Sequence, residues 1–121
     1  MTDLYFEDII GRYFNLNLKK DNYRIYVEEA GQGTPLLCLH TAGSDGRQFR
    51  HILNDKRITN NYRVIVFDLP WHGKSNPPAG YELKDYKLTT NLYKEIIMSF
   101  CKQYKLIDPV IMGCSMGGRV V

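Results

Sequence analysis

The sequence predicts an α/β fold: an antiparallel N-terminal hairpin, then a mostly parallel sheet flanked by helices. Three observations carry that prediction. Residues 13–18 and 23–28 alternate apolar and polar side chains, as half-buried strands do, on either side of Lys20-Asp21-Asn22. Three short apolar runs follow, at residues 35–39, 63–67 and 110–112, as expected of strands covered on both faces. Helical stretches fall between them, and a strand–helix–strand–helix–strand order is the α/β pattern. Right-handed crossovers then place the helices on both faces of the sheet.

Each element has a local reason. Residues 20–22 are turn chemistry, which joins the first two strands as a hairpin. Gly31-Gln32-Gly33 breaks the second strand. After the run Pro35-Leu-Leu-Cys-Leu39, Gly43-Ser44-Asp45-Gly46 reads as a loop. Residues 47–53 can form a short helix with Phe49, Ile52 and Leu53 on one side. The buried run Arg63-Val-Ile-Val-Phe67 leads into a long irregular connection, residues 68–81, with three prolines and two glycines. Residues 88–104 have helical periodicity, with Leu88, Leu92, Ile96, Ile97, Phe100 and Tyr104 in one apolar stripe. Thr89 or Thr90 can cap its start.

Composition excludes several classes of function. The net charge is +3 and the basic residues are scattered, so no nucleic-acid surface is expected. The pair Lys19-Lys20 reads as a solvated turn. No apolar run approaches the roughly 20 residues that cross a bilayer, so no membrane partner is expected. No basic segment leads into an apolar one at the N-terminus, so a signal peptide is not expected and a cytoplasmic location is. Three cysteines, Cys38, Cys101 and Cys114, cannot all pair with one another and read as buried free thiols. No Cys, His or carboxylate cluster has metal-ligand spacing, so neither metal nor cofactor is expected.

Ligands of such sheets bind beyond the C-terminal strand ends. Three segments meet there: His40-Thr41-Ala42-Gly43, Asp68-Leu-Pro-Trp-His-Gly-Lys-Ser75, and Gly113-Cys114-Ser115-Met116-Gly117-Gly118. The last is a strand followed by Gly-x-Ser-x-Gly, a nucleophile elbow whose glycines leave room for neighbouring elements. In this order the three segments resemble the N-terminal half of an α/β-hydrolase fold protein. The first looks like the family's His-Gly oxyanion loop, the second like its Asp-x-x-x-x-Gly-x-Ser loop. The form Gly-x-Ser-Met-Gly-Gly is similar to that of small cofactor-free esterases and carbon–carbon bond hydrolases acting on ring-cleavage products.

The resemblance implies a chemistry residue by residue. Ser115 would attack a carbonyl carbon of a small organic substrate. The backbone N–H groups of Met116 and Ala42 would hold the oxyanion, with Gly43 or Thr41 as neighbouring choices for the second donor. Thr41 stands where the family usually has glycine, and its hydroxyl can also reach the site. Thr41, Gly43 and Trp71 are the expected substrate contacts, although Trp71 can equally cover the sheet edge. The family's acid and histidine follow the elbow, whereas residues 116–121 contain neither. His40, His51 and His72 all precede Ser115. His40 is expected to bond loop backbone, His51 to lie partly exposed on a helix, His72 to brace its loop and Asp68 to anchor that loop. Cys114 is expected to pack inward and stay inert.

Residues 1–121 are therefore expected to be the N-terminal part of one hydrolase domain, inactive alone. The missing half would be carried by a longer product or a separate chain, and a homo-oligomer stays open. The competing reading is a non-catalytic binding module built on the front half of the fold.

Overall fold

A computed structural model describes residues 6–41, 44–70, 72–76 and 89–113. Strand β1 (Ile10–Leu18) pairs antiparallel with β2 (Asp21–Ala30), from Ile10 opposite Glu29 to Leu18 opposite Asp21. The connection is the two residues Lys19 and Lys20, with Lys19 at φ 55°, the positive-φ position that tight hairpin turns require. The turn thus sits one to two residues earlier than the turn chemistry at 20–22 predicts. Asp21 and Asn22 belong to the ladder instead, and the Asn22 side chain donates to Asn17 Oδ1 across it at 2.7 Å.

Strand β3 (Thr34–Leu39), β4 (Tyr62–Phe67) and β5 (Val110–Gly113) complete a five-stranded mixed sheet of order β1-β2-β4-β3-β5. β4 runs antiparallel to β2 and parallel to β3, and β5 runs parallel to β3. The hairpin is thus grafted onto a parallel unit, as the sequence pattern predicts. Gly31, at φ 94°, makes the sharp exit from β2, and a Cβ there would lie 2.2 Å from the Tyr62 carbonyl oxygen.

Two cores explain the uninterrupted apolar runs. Side chains alternate across a strand, so Leu37, Leu39, Ile65 and Phe67 face one side while Cys38, Val64 and Val66 face the other. The first side is covered by α3 (Thr90–Gln103), whose Ile96, Ile97 and Phe100 are buried and whose Phe100 ring stacks on Phe67 at 4.6 Å. Tyr93, outside the predicted stripe, is also buried in this core. The Thr89 hydroxyl caps the helix by accepting from the Leu92 N–H at 3.0 Å. At its other end Lys105 stands at φ 61°, and the Leu106 and Lys105 N–H groups close back on the carbonyls of Cys101 and Lys102.

The second side is covered by a 3₁₀ turn (Gly46–Phe49), α1 (Arg50–Leu53) and α2 (Lys56–Thr59). The single short helix expected over 47–53 is therefore two abutting pieces, with Phe49, Ile52 and Leu53 turned to the sheet as predicted. Helix α2 has no counterpart in the periodicity, because four residues make barely one turn. Asp55 caps it, accepting from the Arg57 N–H at 3.0 Å. No helix among the described residues is long and apolar enough to cross a membrane.

Candidate active site

Because β3, β4 and β5 are parallel, their C-terminal ends reach one edge of the sheet, with Leu39 opposite Gly113 in the ladder. The chain leaves that edge as the three segments singled out above. Of the expected site residues, Thr41 is described, while Ala42, Gly43, Trp71, Ser115 and Met116 lie outside the described residues, as does Cys114. Gly113, two positions before Ser115, ends β5 at this edge.

Around that point the loops after β3 and β4 are tied to each other from both sides. His40, 1 % exposed at the end of β3, bonds the Thr41 carbonyl through Nδ1 at 2.7 Å. Its Nε2 accepts the Leu69 N–H of the β4 loop at 3.1 Å. An acceptor at Nε2 carries no proton, so the proton sits on Nδ1 and the ring is the neutral Nδ1–H tautomer. Burial holds the imidazole below its ordinary pKa. The Thr41 bond opposes that shift, and the His72 ring, 5.2 Å away, adds to it.

In the other direction, Asp68 at the end of β4 reaches back to the β3 loop. Its Oδ1 accepts the Gly46 N–H at 2.7 Å and its Oδ2 accepts the Lys74 N–H at 2.9 Å. The expected anchoring role is thus observed, and it extends to a second loop. The fit leaves no space: a Cβ on Gly73, at φ 51°, would lie 2.3 Å from Asp68 Oδ2. Ser75 fixes the far end of the same loop, donating to the Asp68 carbonyl at 2.5 Å and accepting the Tyr26 N–H at 2.9 Å. The Asn76 N–H bonds the Arg24 carbonyl, so the loop occupies the edge of β2 where β4 no longer pairs.

Thr41 itself is held by the 3₁₀ turn: its N–H donates to Gln48 Oε1 at 3.0 Å and its carbonyl accepts the Ser44 N–H at 3.2 Å. The Thr41 amide, one of the three left open for the second oxyanion donor, is therefore already occupied. Gln48 was not legible as a site residue, because nothing in the local pattern links it to Thr41.

His72 bonds the Pro70 carbonyl through Nδ1 at 3.0 Å, bracing its loop as expected, and His51 is exposed on α1. Asp45 caps the 3₁₀ turn and takes a two-pronged bond from Arg47, which holds its carboxyl below the ordinary value. The Cys38 thiol is pushed up to about 12 by burial, so it is inert as a nucleophile. Among the described residues no three His, Cys, Asp or Glu side chains converge on a metal position. A depression of about 620 Å³ lined by Gly31, Gln32, Thr59 and Asn60 lies at the opposite end of the parallel strands.

Residues 34–121, from β3 through the elbow motif, match the sequence model of the alpha/beta hydrolase fold. The chain belongs to the α/β-hydrolase fold family.

Among curated relatives, the "Magnesium-chelatase 30 kDa subunit" of Rhodobacter capsulatus is 32% identical over 88 residues, which is 73% of this chain and 28% of that protein. The "AB hydrolase superfamily protein YisY" of Bacillus subtilis (strain 168) is 28% identical over 103 residues, 84% of this chain and 35% of that one. Among solved structures, an N-acyl homoserine lactonase complexed with N-butanoyl homoserine is 33% identical, with a TM-score of 0.74 over 90% of this chain and 38% of that one. An epoxide hydrolase from Vigna radiata, at 19% identity and a TM-score of 0.75 over 93% of this chain and 34% of that one, shares the fold. This α/β-hydrolase fold chain thus spans about a third of the length of the proteins it matches.

Proposed function

We propose that the chain is the nucleophile-bearing part of a serine hydrolase that cleaves an ester, or a carbon–carbon bond beside a carbonyl, in a small organic substrate. One observation carries the reading: three parallel strands deliver the His40, Asp68 and Gly113 segments, in family order, to one edge of the sheet. In this reading Ser115 Oγ attacks the carbonyl carbon and its proton passes to a histidine base. The negative charge that develops on oxygen is held by the N–H groups of Met116 and of Ala42 or Gly43. The leaving group departs with that proton, and water hydrolyses the acyl-serine. The base and its acid partner come from beyond residue 121 in the family order, so this chain alone does not turn over. Likeness to an N-acyl homoserine lactonase favours an ester over a carbon–carbon bond.

The chain alone is expected to show no hydrolysis of p-nitrophenyl butyrate above a Ser115→Ala control. A longer protein that carries this chain together with a downstream acid and histidine is expected to hydrolyse it. Ser115→Ala in that protein should cost on the order of 10⁶ in kcat, with the fold unchanged. Turnover that survives the substitution would overturn the serine assignment. A second reading, a non-catalytic binding module, is favoured by the magnesium-chelatase subunit, a relative not named as a hydrolase. It predicts no turnover in any protein that carries the chain.

A further inference from the structure

We infer that His40 is a positioning residue whose single neutral tautomer couples the loop after β3 to the loop after β4, so that protonation of its ring breaks that coupling. The inference rests on the proposed serine-hydrolase reading for its effect on turnover, but its physical content is independent of it.

The geometry leaves His40 one arrangement. Nδ1 faces the Thr41 carbonyl, which can only accept, and Nε2 faces the Leu69 N–H, which can only donate. A second proton must enter at Nε2. There it turns the acceptor into a donor pointing at another donor, and the bond between the two loops is lost. The ring is 1 % exposed, so water cannot take over the orphaned Leu69 amide without opening the site. Among the described residues, three titratable groups act on the ring. From the β4 loop these are the His72 ring at 5.2 Å, which opposes the added charge, and Asp68, which favours it; from the β3 loop Asp45 also favours it. Burial outweighs the two carboxylates and keeps the ring neutral below the ordinary histidine range.

In the proposed reading the β3 side of this coupling leads along the chain into the oxyanion donors. Thr41 precedes Ala42 and Gly43, whose amides are the remaining candidates for the second oxyanion donor. With its own N–H on Gln48 and its carbonyl on His40 and Ser44, the Thr41 peptide is clamped on both sides. Protonation leaves the Nδ1–H bond to the Thr41 carbonyl in place but frees the His40–Thr41 corner from the β4 loop, so that corner loses its fix on the neighbouring loop. A donor misplaced by about 1 Å costs on the order of 100-fold in rate.

Two variants separate the two ring nitrogens. The amide nitrogen of His40→Asn can replace Nδ1 and keep the Thr41 contact. The amide oxygen of His40→Gln can replace Nε2 and keep the Leu69 contact. Long-range nitrogen–proton NMR of the chain should show His40 as the Nδ1–H tautomer at neutral pH. Its titration midpoint should lie below the ordinary histidine value, and the Leu69 and Thr41 amide signals should move with the same midpoint. In His40→Gln that shared step should vanish with the Leu69 amide little displaced; in His40→Asn the Leu69 amide should be displaced at every pH. In the hydrolase that carries this chain, the acid side of kcat should contain, besides the titration of the histidine base, a step with the His40 midpoint. His40→Asn should lower kcat about 100-fold with KM nearly unchanged, and His40→Gln should lose the His40 step while keeping that of the histidine base. An Nε2–H tautomer, loop amides that ignore the His40 midpoint, or a kcat step at the His40 midpoint that survives in His40→Gln would overturn the coupling. If the NMR coupling holds while Ser115→Ala leaves turnover intact, the serine reading fails and the bridge stands.

Discussion

Gln103 treats Asn17 as a neighbouring strand would. From the last turn of α3 its side-chain amide accepts the Asn17 N–H at 3.0 Å and donates to the Asn17 carbonyl at 2.6 Å. β1 is an outer strand of the sheet, and its unpaired amides and carbonyls are a template for another chain. The helix closes that template at one rung. Gln103→Ala is expected to cost about 1 kcal/mol and to raise self-association. Sedimentation velocity across a concentration series checks it; an unchanged monomer fraction would count against the edge-closing role.

Asp68 holds two backbone donors from two loops, so its loss orphans both. Asp68→Ala is expected to destabilise the fold by about 3 kcal/mol, read from urea denaturation. Gly73→Ala should also destabilise, since the new methyl meets the same carboxylate at a backbone angle that suits glycine.

Lys105 is a left-handed residue at the end of α3, where glycine is the usual choice. Removing its side chain relieves about 1–2 kcal/mol of backbone strain, while the unfolded chain gains back part of that in freedom. Lys105→Gly is therefore expected to stabilise by about 0.5–1 kcal/mol and to raise Tm by about 2–4 °C in differential scanning calorimetry. A lower Tm would mean that the lysine makes a compensating contact.

Glu29 sits where β2, β4 and the end of α3 meet. Burial pushes its carboxyl up from the ordinary 4.5, but hydrogen bonds from Arg63 and Tyr104, with the charges of Arg63 and Arg12, bring it below that value. A carboxyl lowered on folding stabilises fully above its unfolded pKa, and the contribution is lost as pH falls from there through the folded value. Glu29→Gln should therefore cost most near neutral pH and least below the folded value, flattening the acid limb of Tm against pH. A constant difference at all pH values would show that packing, not charge, is lost.

How much of this could be read from the chain depends on distance along it. The runs at Leu37–Leu39 and Ile65–Phe67 announced covered strands because both their faces are buried, and the helix announced itself through Ile96, Ile97 and Phe100. Asp21 and Asn22 misled, since turn-forming residues were drawn into the ladder by cross-strand bonding. Helix α2 was too short to show a period. His40 and Asp68 were legible as loop anchors from their place at strand ends. Their partners were not: Leu69 and Gly46 are each more than twenty positions away, and no local rule pairs a backbone amide with a distant ring or carboxylate. Gln48 on Thr41 was hidden for a similar reason: a glutamine at the start of a helix carries no mark of its target.

The strand order also constrains how the molecule can be assembled during synthesis. β4 lies between β2 and β3, both of which leave the ribosome before it. The hairpin can close by itself within microseconds, but β3 emerges with no neighbour and must wait for β4 to bridge it to the hairpin. A nascent chain paused before Tyr62 therefore holds a hairpin and a lone strand, with no strand yet made to join them. Once β4 is inserted the halves become one cooperative unit, and β5 needs only to add at the side. The interval between Leu39 and Tyr62 is thus the period in which a growing chain most needs shielding from its neighbours.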